Sequence, residues 1–248
     1  MAKQSGLGDN LYVAGYDLSG DIGQLGGISG GPAALEVTGI DKSAFERIGG
    51  LRDGKLEFTA WFNPVTDRAH QRFRSLPTTD VIVSYFRGTT LGNPSASIVA
   101  KQINYDGTRA DDGAFTFAVE AQANGYGLGW GRSLTAGKRT DTTATNGSSV
   151  DFGTGSTTFG LQAYLHVFAF TGTSVTVKLQ ESSDDGAGDA WADVTGGAFT
   201  AATGVTSERI ATAAGQTVER YLRVVTTGTF SNAVFAVSVV RNSTAVTF

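Results

Sequence analysis

Few residues of this chain are of the kinds that do chemistry, and their spacing decides what each could do. Asp53, Glu57, Asp111, Asp112 and Glu120 include enough carboxylates for a glycoside hydrolase pair, one acid and one base or nucleophile. No aromatic sugar platform is marked beside them, and solvated strand faces account for acidic residues at such positions. Asp184, Asp185, Asp189 and Asp193 offer the hard oxygen ligands that calcium takes. Their spacing has neither the D-x-[DN]-x-[DN]-G pattern nor its terminal Glu, and Ser182-Ser183-Asp184-Asp185-Gly186 reads as an exposed hairpin turn. The absence of cysteine excludes disulfides, thiolate metal sites and cysteine nucleophiles, and two histidines, His70 and His166, leave little room for a histidine metal site. His70 would need a nucleophile and an orienting acid to catalyse anything, and no G-x-S-x-G elbow supplies the first. Gly125 to Gly131 contains G-x-G without the strand and helix that a dinucleotide needs. The sequons at Asn146 and Asn242 have no secretory signal ahead of them. The expectation is a protein that is not an enzyme and that carries no metal and no cofactor.

One cluster suggests contact and not catalysis. Arg68, His70, Arg72 and Arg74 fall within seven residues on a stretch expected to be helical. They would make a positive face able to dock on an acidic neighbour, or simply a solvated one. These four are the candidate interface residues.

The elements that would hold these groups are mostly strands. Lys55 to Phe62 alternates apolar and polar residues, and Val81 to Phe86, Ser97 to Ile103 and Ala114 to Ala121 are further strand candidates. Asn63-Pro64 gives a helix start, with Val65, Ala69, Phe73 and Leu76 as one apolar stripe and Pro77 as the stop. From Leu161 onward, short alternating segments (161–167, 175–179, 219–225 and 234–241) argue for a sandwich or jelly roll. Residues 132–160 are rich in Gly, Ser, Thr and Asn and read as a connector. The expected division is therefore 1–145, a β domain with one flanking helix, and 146–248, an appended β-sandwich.

Composition narrows the class further. The 248 residues include 34 Gly, 40% hydrophobic and only 17% charged residues, with a net charge of -4. The segment up to 145 carries 14 basic and 15 acidic residues, so no strongly basic nucleic-acid footprint is present. Met1 to Gly6 lacks the apolar stretch of a signal peptide, and no apolar run approaches the roughly twenty residues of a membrane-spanning helix.

The first half resembles the tail tube (major tail) proteins of long-tailed bacteriophages, especially those of actinobacterial phages. The residues that carry this are Gly31-Pro32-Ala33-Ala34-Leu35-Glu36-Val37-Thr38-Gly39-Ile40-Asp41-Lys42-Ser43-Ala44 and Glu46-Arg47-Ile48-Gly49-Gly50-Leu51-Arg52-Asp53-Gly54. The strand Leu56 to Phe62 and the Asn63-Pro64 helix follow them, then Gly88-Thr89, Lys101-Gln102-Ile103 and Asp111-Asp112-Gly113. The resemblance spans residues 8 to 135. It implies a tail-tube β-sandwich or barrel domain with one flanking helix, and hexameric rings that stack into a tube through which genomic DNA passes without specific binding. It also implies location in the virion tail after assembly in the host cytoplasm, with the chain itself and other tail proteins as partners. The basic helix is then expected to face away from the bore. Residues 156–248 look like a decorating sandwich of the jelly-roll kind, with host surface glycan as a conceivable ligand and Trp191 expected in its core. The alternatives are a capsid decoration or head-fibre protein, or a glycan-binding virion surface module.

Overall fold

The computed structural model describes residues 5–76, 78–153 and 155–246. Its strands are β1 (Asn10–Val13), β2 (Tyr16–Asp17), β3 (Ile22–Glu36), β4 (Arg47–Trp61), β5 (Val81–Phe86), β6 (Pro94–Gln102), β7 (Asp106–Arg109) and β8 (Phe115–Ala123). The remainder are β9 (Gly129–Ser133), β10 (Arg139–Asp141), β11 (Asn146–Asp151), β12 (Leu161–Ser182), β13 (Ala192–Ala198), β14 (Thr206–Ala211) and β15 (Tyr221–Arg241). A single short helix, α1 (Ala69–Phe73), is present among the described residues. The fold is mainly β, as expected.

The chain forms two compact units, and they do not follow a cut near residue 145. One comprises residues 1–20, 81–97 and 129–248, and the other residues 21–80 and 98–128. The supposed connector holds the end of β9 and all of β10 and β11, and these three strands pair antiparallel with β15. Their polar composition misleads because strands pair through the backbone and an outer one needs few apolar side chains; β11 buries only Val150.

The first unit is built on β12 and β15, which pair from Leu161↔Arg241 to Ser182↔Tyr221. Each was expected as two separate strands. Their side-chain parity explains the appearance. The register skips Phe168 and Thr173 on β12 but only Ser231 on β15. Two bulges restore the alternation, so 161, 163, 165 and 167 share parity with 175, 177 and 179. One bulge inverts it, so Leu222 and Val224 give way to Phe235, Val237 and Val239. Gly172 and Gly228, at φ 151° and 120°, sit in these bends; a Cβ on Gly172 would lie 2.4 Å from the Phe230 Cα. Leu161, Leu165, Val177, Leu179, Leu222 and Phe235 form the heart of the core. The N-terminal half of β12 is buried on both faces, since Gln162, Tyr164 and His166 are buried too.

In the second unit the order is β3-β4-β8, with β7 and the 98–102 part of β6 on the far edge of β8. Gly54, Leu56, Phe58 and Ala60 alternate inward along β4, and Phe117, Val119 and Ala121 do so on β8. Phe73 of α1 packs on Phe58 with ring centroids 5.5 Å apart. The helix is shorter than its sequence pattern because residues 63–68 are spent otherwise. The Asn63 side chain accepts from Val65 N, its carbonyl accepts from His70 N, and Asp67 lies at φ 65°. Val65 and Leu76 are exposed, leaving Ala69 and Phe73 as the buried stripe. Pro77, expected to end the helix, lies outside the described residues.

Candidate assembly surface

The most unusual feature of the second unit is the β3–β4 hairpin. The two strands pair from Ile22↔Ala60 to Glu36↔Arg47, but β8 covers only Lys55 to Trp61 of β4. Beyond Lys55 the hairpin has no third strand. Its distal part presents Leu35, Val37, Ile40, Phe45, Ile48 and Leu51 to solvent, with Leu51 at 89% exposure and Phe45 at 66%. A two-stranded hairpin is marginal in water, and clustered exposed apolar residues mark a contact surface. The tip is nevertheless closed locally: Val37 N donates to Glu46 O, Glu46 N donates to Thr38 Oγ1, and Lys42 lies beside Asp41 and Glu46.

Strand β3 also has an open edge. It pairs with β4 alone and carries no charged residue before Glu36. Bulges at Gly23 and Gly26 bend it, and the Trp61 ring lies over Gly23, where a Cβ would come 2.7 Å from Nε1. Edge strands of the first unit are better protected. β14 carries Glu208 and Arg209, β13 carries Asp193 with a register shift, and β11 carries Asp151.

The bare face of the β4–β8 sheet holds three of the carboxylates first considered for glycoside chemistry. Glu57 and Glu120 are cross-strand neighbours, and Lys55 bonds Glu57 at 2.8 Å and approaches Glu120 at 3.9 Å. The Glu57 hydrogen bond lifts the Lys55 pKa above its usual value. Asp53 caps Gly54 N and accepts from Gln122. These groups line an open depression of about 550 Å³ with Gly30, Pro32 and Leu51. One ammonium bridging two carboxylates, with Asp53 beside them, leaves an acidic surface whose charge is only partly offset.

The chain matches no family model and no curated protein. Among solved structures it is similar to the SPP1 Dit (gp 19.1) protein, described as a paradigm of the hub adsorption apparatus in phages infecting Gram-positive bacteria. That similarity covers 93% of this chain and 98% of the other at 11% identity and a TM-score of 0.33. It is also similar to a chain of the phage p2 baseplate in its activated conformation with Sr (10% identity, 93% and 97% covered, TM-score 0.31). A third similarity is to a chain of the p2 baseplate activated with Ca (13% identity, 96% and 99% covered, TM-score 0.29). Superpositions this loose carry no argument about activity or place.

The four candidate interface residues lie together, but they do not form an open basic face. Arg68 Nε is 3.9 Å from the buried Asp21, Arg72 pairs with Asp67, and His70 Nδ1 is 3.0 Å from Tyr105 Oη. The His70 ring also packs on Phe62 at 4.6 Å. Only Arg74 stands exposed. The residue missed by sequence reasoning is Asp21, which accepts Ala69 N at 3.0 Å and Asn63 Nδ2 at 2.8 Å, and so caps α1 from a distance of 48 positions along the chain.

The acidic loop is a turn. Asp184 accepts the backbone N–H groups of Ala187, Gly188 and Asp189, which hold its pKa below the carboxylate range, and Asp189 accepts from Ser183 N. Among the described residues no three His, Cys, Asp or Glu side chains converge as metal ligands. Trp191 is half-buried and outside the core. Its ring is clamped between Gly186 and the Arg223 guanidinium, 4.3 Å from the ring centroid. No described helix is long and apolar enough to cross a membrane.

Proposed function

We propose that this chain is a structural subunit of a long-tailed phage virion that assembles with copies of itself into hexameric rings, which stack into a tail tube for DNA passage. The observation that carries this reading is the uncovered β3–β4 hairpin: an apolar tip and a chargeless open edge on a chain whose other edges are protected. The two segments that resemble tail tube proteins, 31–44 and 46–54, are the same element. A neighbour's strand added to β3 satisfies its open N–H and C=O groups, and a head-to-tail repeat of that contact closes a ring. The bare face of β4 and β8, where Lys55 is outnumbered by Glu57 and Glu120, then suits a bore, because basic contacts would grip phosphates whatever the sequence. Helix α1 packs on the opposite face, which keeps Arg68, Arg72 and Arg74 out of that bore. Other tail proteins are the remaining partners, and the first unit's sandwich decorates the exterior, with host glycan as its ligand.

The test is negative-stain microscopy of concentrated protein with and without preformed tail tips. Hollow tubes of uniform bore support the reading. Closed rings that never stack would move the subunit to a tail hub, and monomers or trimers under all conditions would favour a capsid decoration protein. The paired variant Ile40→Asp/Leu51→Asp should fold as the parent does and assemble at least 100-fold less readily, since each apolar side chain of this size contributes about 1.5–3 kcal/mol when buried.

A further inference from the structure

The first unit buries a chain of polar side chains that neither the fold nor the assembly surface uses. His166 on β12 is fully buried. Its Nδ1 accepts the backbone N–H of Gly15 at 3.2 Å, and its Nε2 lies 2.9 Å from Ser84 Oγ on β5. Ser84 Oγ is 2.8 Å from Ser97 Oγ, which reaches Ser238 Oγ at 3.3 Å, and Ser238 meets Ser95 at 2.8 Å. The Gly15 bond fixes the tautomer. Nδ1 must be bare to accept, so Nε2 carries the proton and donates to Ser84.

Gly15 belongs to the tight Ala14-Gly15 turn that joins β1 to β2, with φ of 50° and 83°. A Cβ there would meet the carbonyl oxygens of Thr206 at 2.7 Å and Val167 at 2.9 Å, so the turn is pressed directly onto β14 and β12. Beyond that contact, β1 is held by four residue pairs with β5, by Ala14 N donating to Ile82 O, and by the burial of Leu11, Tyr12 and Val13, with the Tyr12 ring on Phe86 and Phe168. The His166 bond is a polar side-chain tie between this turn and β12.

We propose that His166 is an acid-sensitive latch: its protonation releases the β1–β2 hairpin from the body of the first unit. A proton on Nδ1 turns the acceptor into a donor facing the Gly15 N–H, so the bond is lost and two donors confront each other. The charge created has no counterion. From β1 the ring faces Tyr12, from β5 Ser84, from β6 Ser97, and from β15 Ala236 and Ser238. Its cross-strand neighbour on β14 is Ser207, whose flanking Glu208 is bonded to Thr200 while Arg209 lies over Tyr164. Asp17 on β2 is committed to Ser19 and Lys138, and Lys138 in turn sits 5.8 Å from the ring of Phe168, the aromatic stacked beside His166. A buried imidazolium without a partner is costly, and opening the turn hydrates it.

The direction follows from linkage. Burial pushes the His166 pKa down from 6.5 to about 3. The closed state therefore refuses a proton that the open state takes near 6.5. The latch is fully closed above that value and weakens as pH falls towards 3. Below pH 6 the opening constant rises nearly tenfold per pH unit, and it rises about 50-fold from pH 6.5 to 4.5.

Hydrogen exchange on the full-length protein tests this, with rates corrected for intrinsic pH dependence. The expected result is a roughly 50-fold loss of protection for Ala14 and Gly15 between pH 6.5 and 4.5, with Val177 and Leu179 amides unchanged. In His166→Gln, an uncharged side chain able to accept from Gly15 and donate to Ser84, that pH response should vanish. Equal loss at Val177 and Leu179 would mean global unfolding and overturn the latch, as would an unchanged response in His166→Gln. If that variant does not fold, ring NMR of the parent decides, because His70 is the only other histidine. A His166 ring that titrates as a free imidazole while Gly15 stays protected refutes the proposal. A ring that stays neutral until the Gly15 amide opens supports it.

Discussion

Asp21 offers the sharpest test of how the second unit is held together. Its carboxylate is buried, accepts Ala69 N at 3.0 Å and Asn63 Nδ2 at 2.8 Å, and stands 3.9 Å from Arg68 Nε. Substitution to Ala strips α1 of the acceptor for its first N–H and leaves Ala69 N and the Asn63 amide facing a void. Hydrogen bonds to a charged group contribute about 1.5–3 kcal/mol each, and losing a cap costs about 1 kcal/mol. Against this, the variant no longer desolvates a carboxylate, which returns part of the sum. The expected net loss for Asp21→Ala is about 3 kcal/mol, and for Asp21→Asn, whose oxygen can still accept from Ala69, about 1 kcal/mol. Urea titrations followed by Trp61 fluorescence, with the other two tryptophans replaced by Phe, would read the second unit. A loss below about 0.5 kcal/mol for Asp21→Ala would show that α1 is held by Phe73 packing alone and refute the capping argument.

Other consequences follow from the same kind of reasoning. Arg139 chelates the buried Asp141 through Nε at 2.8 Å and Nη2 at 2.7 Å, with Thr226 Oγ1 as a third donor to that carboxylate. Arg139→Ala should therefore cost about 3–5 kcal/mol in chemical denaturation, and more than Thr226→Val. Gly131→Ala would put a Cβ 2.1 Å from the Val239 carbonyl oxygen. It should break the β9–β15 pairing, visible as lost amide protection at Arg132 and Ser133. The variant Glu57→Gln/Glu120→Gln frees Lys55, and assembled rings of it should bind duplex DNA in a salt-dependent gel shift that the parent does not show.

How much of this was legible in the sequence depended on which interaction carried the information. The strands at 81–86, 97–103 and 114–121 were readable because apolar alternation reports burial of one face. The length of β12 and β15 was not, since bulges change parity and a strand that changes parity looks like two. The polar run 132–160 hid β10 and β11 because backbone pairing leaves no hydrophobic trace. At α1 the Asn63-Pro64 signal was real but local: it built a turn, while the cap came from Asp21, 48 positions earlier. The Arg68, His70, Arg72, Arg74 cluster was visible as charge, but the partners that neutralise it lie in other elements or in the preceding turn. The buried role of His166 left no sign, because Ser84, Ser95, Ser97 and Ser238 look like ordinary polar strand positions.

The contrast between the two units bears on where contacts between copies can form. A free sheet edge recruits strands unless charge, bulges or covering prevent it. In the first unit every outer strand has such a device: Glu208 and Arg209 on β14, Asp193 and the shifted register of β13, and the Arg220-paired Asp151 on β11. In the second unit β3 relies on three register shifts, at Gly23, Gly26 and Ala33, and on Pro32, with no charge along residues 22–35. A strand left bare for assembly should also be the chain's aggregation site when assembly is blocked. Gln24→Lys/Ser29→Lys should accordingly abolish rings and raise monomer solubility together. If rings persist while solubility rises, β3 is an unguarded edge but not the contact between copies.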